Sequence, residues 1–174
     1  MHAGQESNSV NGSLRQPGPR MLATRAAIRD AGIAIAQGAR RELLLFDHSL
    51  DLDLYNTEAF IEAVKRLALA QPDSPVRALL SHPDRRNQSG SRIVVLAQRL
   101  TSRIAIRRLA DDTPDRPDAF LIGDRRAYLK RPSAEGSEGV ADMHGRREAR
   151  RLRADFEQMW EHAEADIEVR RLHL

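Results

Sequence analysis

Residues 43–46 read Leu43-Leu44-Leu45-Phe46, and this uninterrupted apolar run decides the fold. Charged residues precede it, and Asp47-His48 follow it. A run this short suits a β-strand that is buried on both faces, which is typical of a parallel sheet covered by helices. The run therefore predicts an α/β protein.

The segments around this strand alternate between helix and strand patterns. Apolar residues recur at helical spacing over 21–39, and Thr57 can cap a second helix that Pro72 ends. Further along we expect a strand over 75–80, a loop over 82–89, a helix over 93–100 and a strand over 103–107. Strands over 119–122 and 126–130, joined through Gly123-Asp124, predict a hairpin. A Gly/Ser-rich loop over 132–145 and an amphipathic helix over 146–163 complete a mixed sheet flanked by helices on both faces.

Length and composition bound the domain organisation and the class of protein. The 174 residues fit one domain over 21–165, with a disordered tail over 1–20 and a tail or edge strand over 166–174. The chain contains 0 Cys, which excludes disulfides, thiolate zinc sites and cysteine nucleophiles. Neither a secretory signal nor an apolar run of membrane-spanning length is present, so we expect a cytoplasmic protein with no membrane partner.

The carboxyl ends of the strands predict where a site forms, because the loops of such folds converge there. His48 follows the first strand and His82 follows the second, each beside an aspartate. Lys130 ends the hairpin, and Arg85 with Arg86 could complete an anion cradle with it, since guanidinium groups bind phosphate bidentately. The histidines have no metal-ligand spacing, so we expect neither a metal nor another cofactor. The alternative interpretation is that each of these charges is a solvated surface group.

The segment from Tyr128 to Glu135, YLKRPSAE, resembles the His-x-Lys-x-x-x-x-Asp motif of the phospholipase D superfamily. A hairpin precedes it, a Gly/Ser-rich loop follows, and the last helix contains Phe156-x-x-x-Trp160, as is common after that motif. The resemblance extends over about residues 22–163. The chain is also similar to an uncharacterised bacterial family of phospholipase D-like domains, found alone or linked to an acetyltransferase.

The resemblance implies a phospholipase D-like mixed sheet and a chemistry that this chain has altered. In that superfamily the motif histidine attacks phosphorus and the lysine stabilises the phosphoryl oxygens. The aspartate supports the histidine or the hydrogen-bond network. Tyr128, Lys130 and Glu135 occupy these positions here, so they are the candidate catalytic residues. A phenol with a pKa near 10 is a poor nucleophile at pH 7. We therefore expect no hydrolysis and assign no catalytic residue. The superfamily pairs two such halves, which implies a homodimer.

Three functions remain open at this point. The first is a catalytically degenerate module that regulates by binding a phosphate-bearing or other anionic ligand, or a partner protein, near Lys130. The second is an active phosphodiesterase that works as a homodimer, with Tyr128, His48 or His82 as nucleophile. The third is a nucleic-acid-binding protein that uses Arg85, Arg86 and the arginines over 146–153. Interleaved acidic residues and an aromatic content of only 4% make the third weaker.

Overall fold

The computed structural model describes residues 17–73 and 75–165. Most of the expected disordered tail, residues 1–16, and the whole C-terminal segment 166–174 lie outside the described residues. The expectations for those two segments therefore stay predictions.

One mixed sheet holds all eight strands found within the described ranges, in the order β1-β7-β6-β5-β2-β3-β4-β8. β2, β3 and β4 are parallel neighbours, and the other pairs are antiparallel. The parallel strands therefore end at one common edge of the sheet. The strands are β1 Arg20–Leu22, β2 Leu43–Asp47, β3 Val76–Leu80, β4 Ile104–Arg108, β5 Ala119–Gly123, β6 Ala127–Arg131, β7 Gly139–Asp142 and β8 Glu164–Ala165.

Helices cover both faces of this sheet, as the sequence predicted. One apolar layer packs α1, α2, α3 and α5 against the sheet, and a second layer packs α6 alone against the opposite face. Within the described residues, none of these helices combines the length and the apolarity needed to cross a bilayer. The helices are α1 Arg25–Gly38, α2 Leu52–Tyr55, α3 Glu58–Ala70, α4 Arg85–Gly90, α5 Arg92–Arg99 and α6 Arg146–His162.

Short polar side chains fix where the longer helices begin. Thr24, Thr57 and Ser91 each accept a hydrogen bond from a backbone N–H in the first turn of α1, α3 and α5. The helix α6 begins after Gly145 and turns one apolar stripe inward, formed by Ala149, Leu152, Phe156 and Trp160. The predicted positions of α3, α5 and α6 are thereby confirmed to within one or two residues.

Three local predictions were wrong. Met21 and Leu22 belong to β1, not to the first helix, because they pair with β7 across the edge of the sheet. Residues 139–142 form that partner strand, although their segment is rich in Gly and Ser. The expected loop over 82–89 contains the short helix α4, which the side chain of Asp84 caps. In β1 and β7 strand pairing outweighs local composition.

Candidate functional site

Two histidines meet where the parallel strands end. His48 follows β2, His82 follows β3, and their ring centroids lie 4.9 Å apart. The expectation that both rings share one edge of the sheet is confirmed. They line a pocket of about 680 Å³, here called the histidine pocket, together with Arg25, Asp47, Ser49, Asp51, Asp84, Asn87, Asp115, Ala134 and Glu135.

A buried ion pair adjoins the histidine pocket, and its carboxylate, Asp47, lines the pocket. Asp47 is the last residue of β2, and Arg131 is the last residue of β6; both are almost completely buried. Arg131 donates to Asp47 Oδ2 at 3.1 Å and to the Ala134 carbonyl at 2.7 Å, while Asp47 Oδ1 accepts the His48 N–H at 2.8 Å. Burial raises the pKa of Asp47 to about 7, against the attraction of Arg131, which lowers it. The pair ties the hairpin to the central strand.

The charge of the histidine pocket does not favour a phosphate. Its lining includes five carboxylates, whereas its one arginine, Arg25, is already paired with Asp51 and Asp53. His82 Nε2 lies 3.7 Å from Asp115 Oδ1, and His48 Nε2 contacts the Arg116 carbonyl at 3.0 Å. Within 17–73 and 75–165, no group of three or more His, Asp or Glu has a metal-binding arrangement.

Lys130 lies on the opposite face of the sheet from the buried pair. Side chains of a strand alternate between faces, so Tyr128 and Lys130 face α6, whereas Arg131 faces Asp47. The Lys130 ammonium is half-buried and lies 3.7 Å from Glu148 Oε1. Hydrogen bonding from Arg151, with added attraction from Arg151 and Lys130, holds the pKa of Glu148 below its usual value. A carboxylate therefore occupies the position where a phosphate would meet Lys130.

Tyr128 is a packed ring rather than an exposed phenol. It is only 7% exposed and belongs to the apolar layer beneath α6. Burial raises its pKa above the ordinary value of 10, and the nearby charges of Asp142 and Glu148 raise it further. Gly145 closes over the ring, because a Cβ at that position would lie 2.3 Å from Tyr128 Cε1. These surroundings make the phenol a still poorer nucleophile than the sequence indicated.

The structure separates the five residues predicted to bind an anion. His48 and His82 line the histidine pocket, where Glu135 joins them, whereas Lys130 faces α6. Arg85 and Arg86 begin α4 and do not line the histidine pocket. Neither Lys130 nor the pair Arg85-Arg86 therefore shares the pocket of the two histidines.

A strongly basic groove lies at the other end of the hairpin. It has a volume of about 640 Å³, and seven arginines and a single carboxylate line it. Among the described residues, no carboxylate lies within 4 Å of the guanidinium groups of Arg40, Arg41, Arg146 or Arg150. We call it the arginine groove; its lining residues are Arg40, Arg41, Asp124, Arg125, Arg126, Arg146, Arg150, Arg153 and Ala154.

The single carboxylate of the arginine groove organises its backbone. Asp124 Oδ2 accepts the N–H of Arg40 at 2.9 Å, and Oδ1 accepts those of Arg41 at 2.7 Å and Glu42 at 3.0 Å. Asp124 and Arg125 occupy the centre of the β5–β6 turn with φ of 54° and 57°. Positive φ at both positions is the pattern of a type I′ turn, which glycine and asparagine normally supply. The turn therefore holds an arginine in a strained conformation within the groove.

Sequence reasoning found the histidine pair but largely missed the arginine groove. Only the arginines over 146–153 were noted as a basic stretch. The groove also needs the pairs Arg40-Arg41 and Arg125-Arg126, which lie in a helix–strand loop and in the hairpin turn. The sequence signal that could have indicated the groove is a pair of arginines at each of two tight connections. Their meeting point depends on the sheet order, which the sequence did not reveal.

Solved structures share this architecture at low sequence identity. Nuc from Salmonella typhimurium, a phospholipase D family member, superposes with a TM-score of 0.59 at 16% identity, covering 87% of this chain and 99% of its own. NucT from Helicobacter pylori gives 0.58 at 12%, covering 86% and 99%. TrmBL2, an archaeal chromatin protein with a novel mode of DNA binding, gives 0.59 at 18%, covering 91% of this chain and 59% of its own.

These likenesses establish a phospholipase D-like fold, as the sequence motif predicted. A search among curated proteins gives no significant match. One family matches residues 24–172, which include every strand of the sheet except β1, both pockets and α6. The chain belongs to this family, which is described as a domain of unknown function, DUF7931.

Proposed function

We propose that this chain is a phospholipase D-like module that binds a phosphate-bearing ligand in the arginine groove without hydrolysing it. One observation carries the proposal: seven arginines converge on one groove, and five of them have no carboxylate within 4 Å among the described residues. Guanidinium groups bind phosphate oxygens bidentately, and clustered like charges gain most from an anion between them. We therefore assign the anion-binding role to the arginine groove instead of the surroundings of Lys130.

The like charges of the groove cost stability when no ligand is bound. Arg146 and Arg150 are four residues apart on α6, so their guanidinium groups lie on the same side of the helix. Like charges at this spacing destabilise a helix by about 0.2–0.5 kcal/mol. Arg125 adds the strain of its positive φ. A surface whose charges and strain lower the stability of the fold is typical of a binding site rather than of a purely structural region.

Replacing Arg146 and Arg150 together by alanine is expected to weaken phosphate binding without unfolding the chain. The probe is sodium tripolyphosphate, titrated calorimetrically at low salt. Since each arginine supplies a charge-assisted contact, the double variant should lose about tenfold or more in affinity. Its melting temperature should stay equal or rise slightly, because the repulsion is removed.

The matched control is Arg92→Ala/Arg99→Ala, which also removes two charges, from the exposed ends of α5 and away from the arginine groove. This variant should bind tripolyphosphate almost as the wild type does. Equal losses in both variants would show that only net charge matters and would contradict the proposal. A short DNA duplex in a parallel titration tests the nucleic-acid alternative, which the many arginines favour; binding that falls steeply with salt would support it.

The phosphodiesterase alternative predicts turnover of bis(p-nitrophenyl) phosphate. We expect none above background, because the pKa of Tyr128 is raised and the histidine pocket is rich in carboxylates. The assay is absorbance at high protein concentration, with sedimentation of the same sample to test for the proposed homodimer. Turnover that disappears in Lys130→Ala or His82→Ala would contradict the expectation.

A further inference from the structure

A second cavity adjoins the arginine groove. It has a volume of about 390 Å³ and shares two lining residues with the groove, Asp124 and Arg126. The volume lies in the range of small-molecule sites, which are about 300–1,000 Å³. We call it the Met143 cavity; its lining residues are Ala34, Ile35, Gln37, Gly38, Ala39, Gly123, Asp124, Arg126, Ala127, Met143 and His144.

The walls of the Met143 cavity differ in chemistry from the groove beside it. Most are small or apolar side chains from the end of α1 and the start of β6, and Met143 adds a flexible apolar surface. Gln37 and His144 supply hydrogen-bonding groups. The carboxylate of Asp124 is engaged with three backbone N–H groups of residues 40–42. The cavity therefore suits an uncharged group, unlike the groove.

Arg126 marks the boundary between the two spaces. Its Nε donates to His144 Nδ1 at 3.0 Å, so the imidazole orients the guanidinium group. Arg126 lines both the cavity and the groove. A ligand that crosses this boundary would place a phosphate beside Arg126 and continue into the cavity.

We propose that the arginine groove and the Met143 cavity form one bipartite site for a phosphate ester with a compact, uncharged body. The phosphate binds the groove arginines, and the body fills the cavity. This inference rests on the proposed phosphate binding and narrows its ligand class. A continuous nucleic-acid strand fits less well, because the cavity shares only Asp124 and Arg126 with the groove and its volume of about 390 Å³ suits one compact group.

The test compares AMP and ribose 5-phosphate with inorganic phosphate by isothermal titration at low salt. The bipartite site predicts that at least one of the two esters binds about tenfold or more tighter than inorganic phosphate, since its body removes apolar surface from water. Comparing the two esters shows whether the body must carry a base. If neither ester exceeds inorganic phosphate, the inference is overturned.

Gly38→Phe is designed to fill the cavity without changing any charge. A Cβ at Gly38 would meet only Met143 Cε, at 3.7 Å, and its φ is not in the left-handed region. The variant should reduce ester affinity to that of inorganic phosphate, while tripolyphosphate binding stays unchanged. Gly38→Ala is the matched control and should preserve both affinities.

Ala34→Phe fills the cavity from another position of α1 and keeps the test decisive if Gly38→Phe does not fold. Unchanged ester binding in a folded, filled variant would overturn the bipartite site. Failure of the proposed function is recognised separately. In that case tripolyphosphate would not bind, or it would bind the Arg146→Ala/Arg150→Ala variant as tightly as the wild type. DNA binding that is unaffected by the filled cavity, with no preference for the esters, would also overturn the inference in favour of a nucleic-acid surface.

Discussion

Replacing Asp47 by alanine is expected to lower the unfolding free energy by about 3–5 kcal/mol near pH 7, because Arg131 would be left buried without its carboxylate. Arg131 is completely enclosed, and it donates to Asp47 at 3.1 Å. The His48 N–H would lose its acceptor as well. Urea denaturation measures the loss directly. The double variant Asp47→Leu/Arg131→Met removes both charges and should recover most of the stability.

The pH dependence gives the same prediction an independent readout. The pKa of Asp47 is raised to about 7 in the folded chain, whereas an unfolded aspartate titrates near about 4. Between these values the folded state binds the proton more strongly, so the contribution of Asp47 to stability is greatest below about pH 4 and falls towards pH 7. The unfolding free energy of the wild type minus that of Asp47→Asn should therefore decrease over this range. A difference that rises with pH would contradict the assignment.

Most of the fold could be predicted because its central elements carry their own signals. Residues 43–46 are continuously apolar, and α6 carries one apolar stripe that ends at Trp160. The strands β1 and β7 carry no such signal. Met21 is 81% exposed, and β7 begins at Gly139 within a polar segment, so these strands depend on pairing, of β1 with β7 and of β7 with β6. Strands of this kind are specified by their pairing partners rather than by local composition.

Part of the candidate site could likewise be predicted from the sequence, and part of it could not. Histidines that follow neighbouring parallel strands meet at one edge whatever their loops contain, so the His48–His82 contact was predictable. Side chains alternate between the two faces of β6, so Lys130 and Arg131 lie on opposite faces. This alternation could have been used to place Lys130 on the α6 side. The arginine groove combines residues near positions 40, 125 and 150. Only the completed sheet order brings these three segments together.

Replacing Asp124 by alanine is the second change with a large expected effect, about 3 kcal/mol of unfolding free energy. The carboxylate accepts three backbone N–H groups from residues 40–42, and alanine offers no acceptor. Alanine also tolerates a φ of 54° less well than aspartate does. Thermal and urea denaturation measure the loss. Asp124→Asn retains an oxygen and the tolerance of positive φ, so it should lose only about 1 kcal/mol.

The effect of Asp124→Ala on binding separates two views of the arginine groove. If the groove were only a sum of charges, removing its single carboxylate would strengthen tripolyphosphate binding. If Asp124 instead holds Arg40 and Arg41 against the hairpin turn, binding should weaken about tenfold although the net charge rises by one. Asp124→Asn should bind at least as tightly as the wild type, because it keeps the loop and loses the negative charge. Tighter binding by a folded Asp124→Ala variant would show that the groove arginines need no fixed geometry.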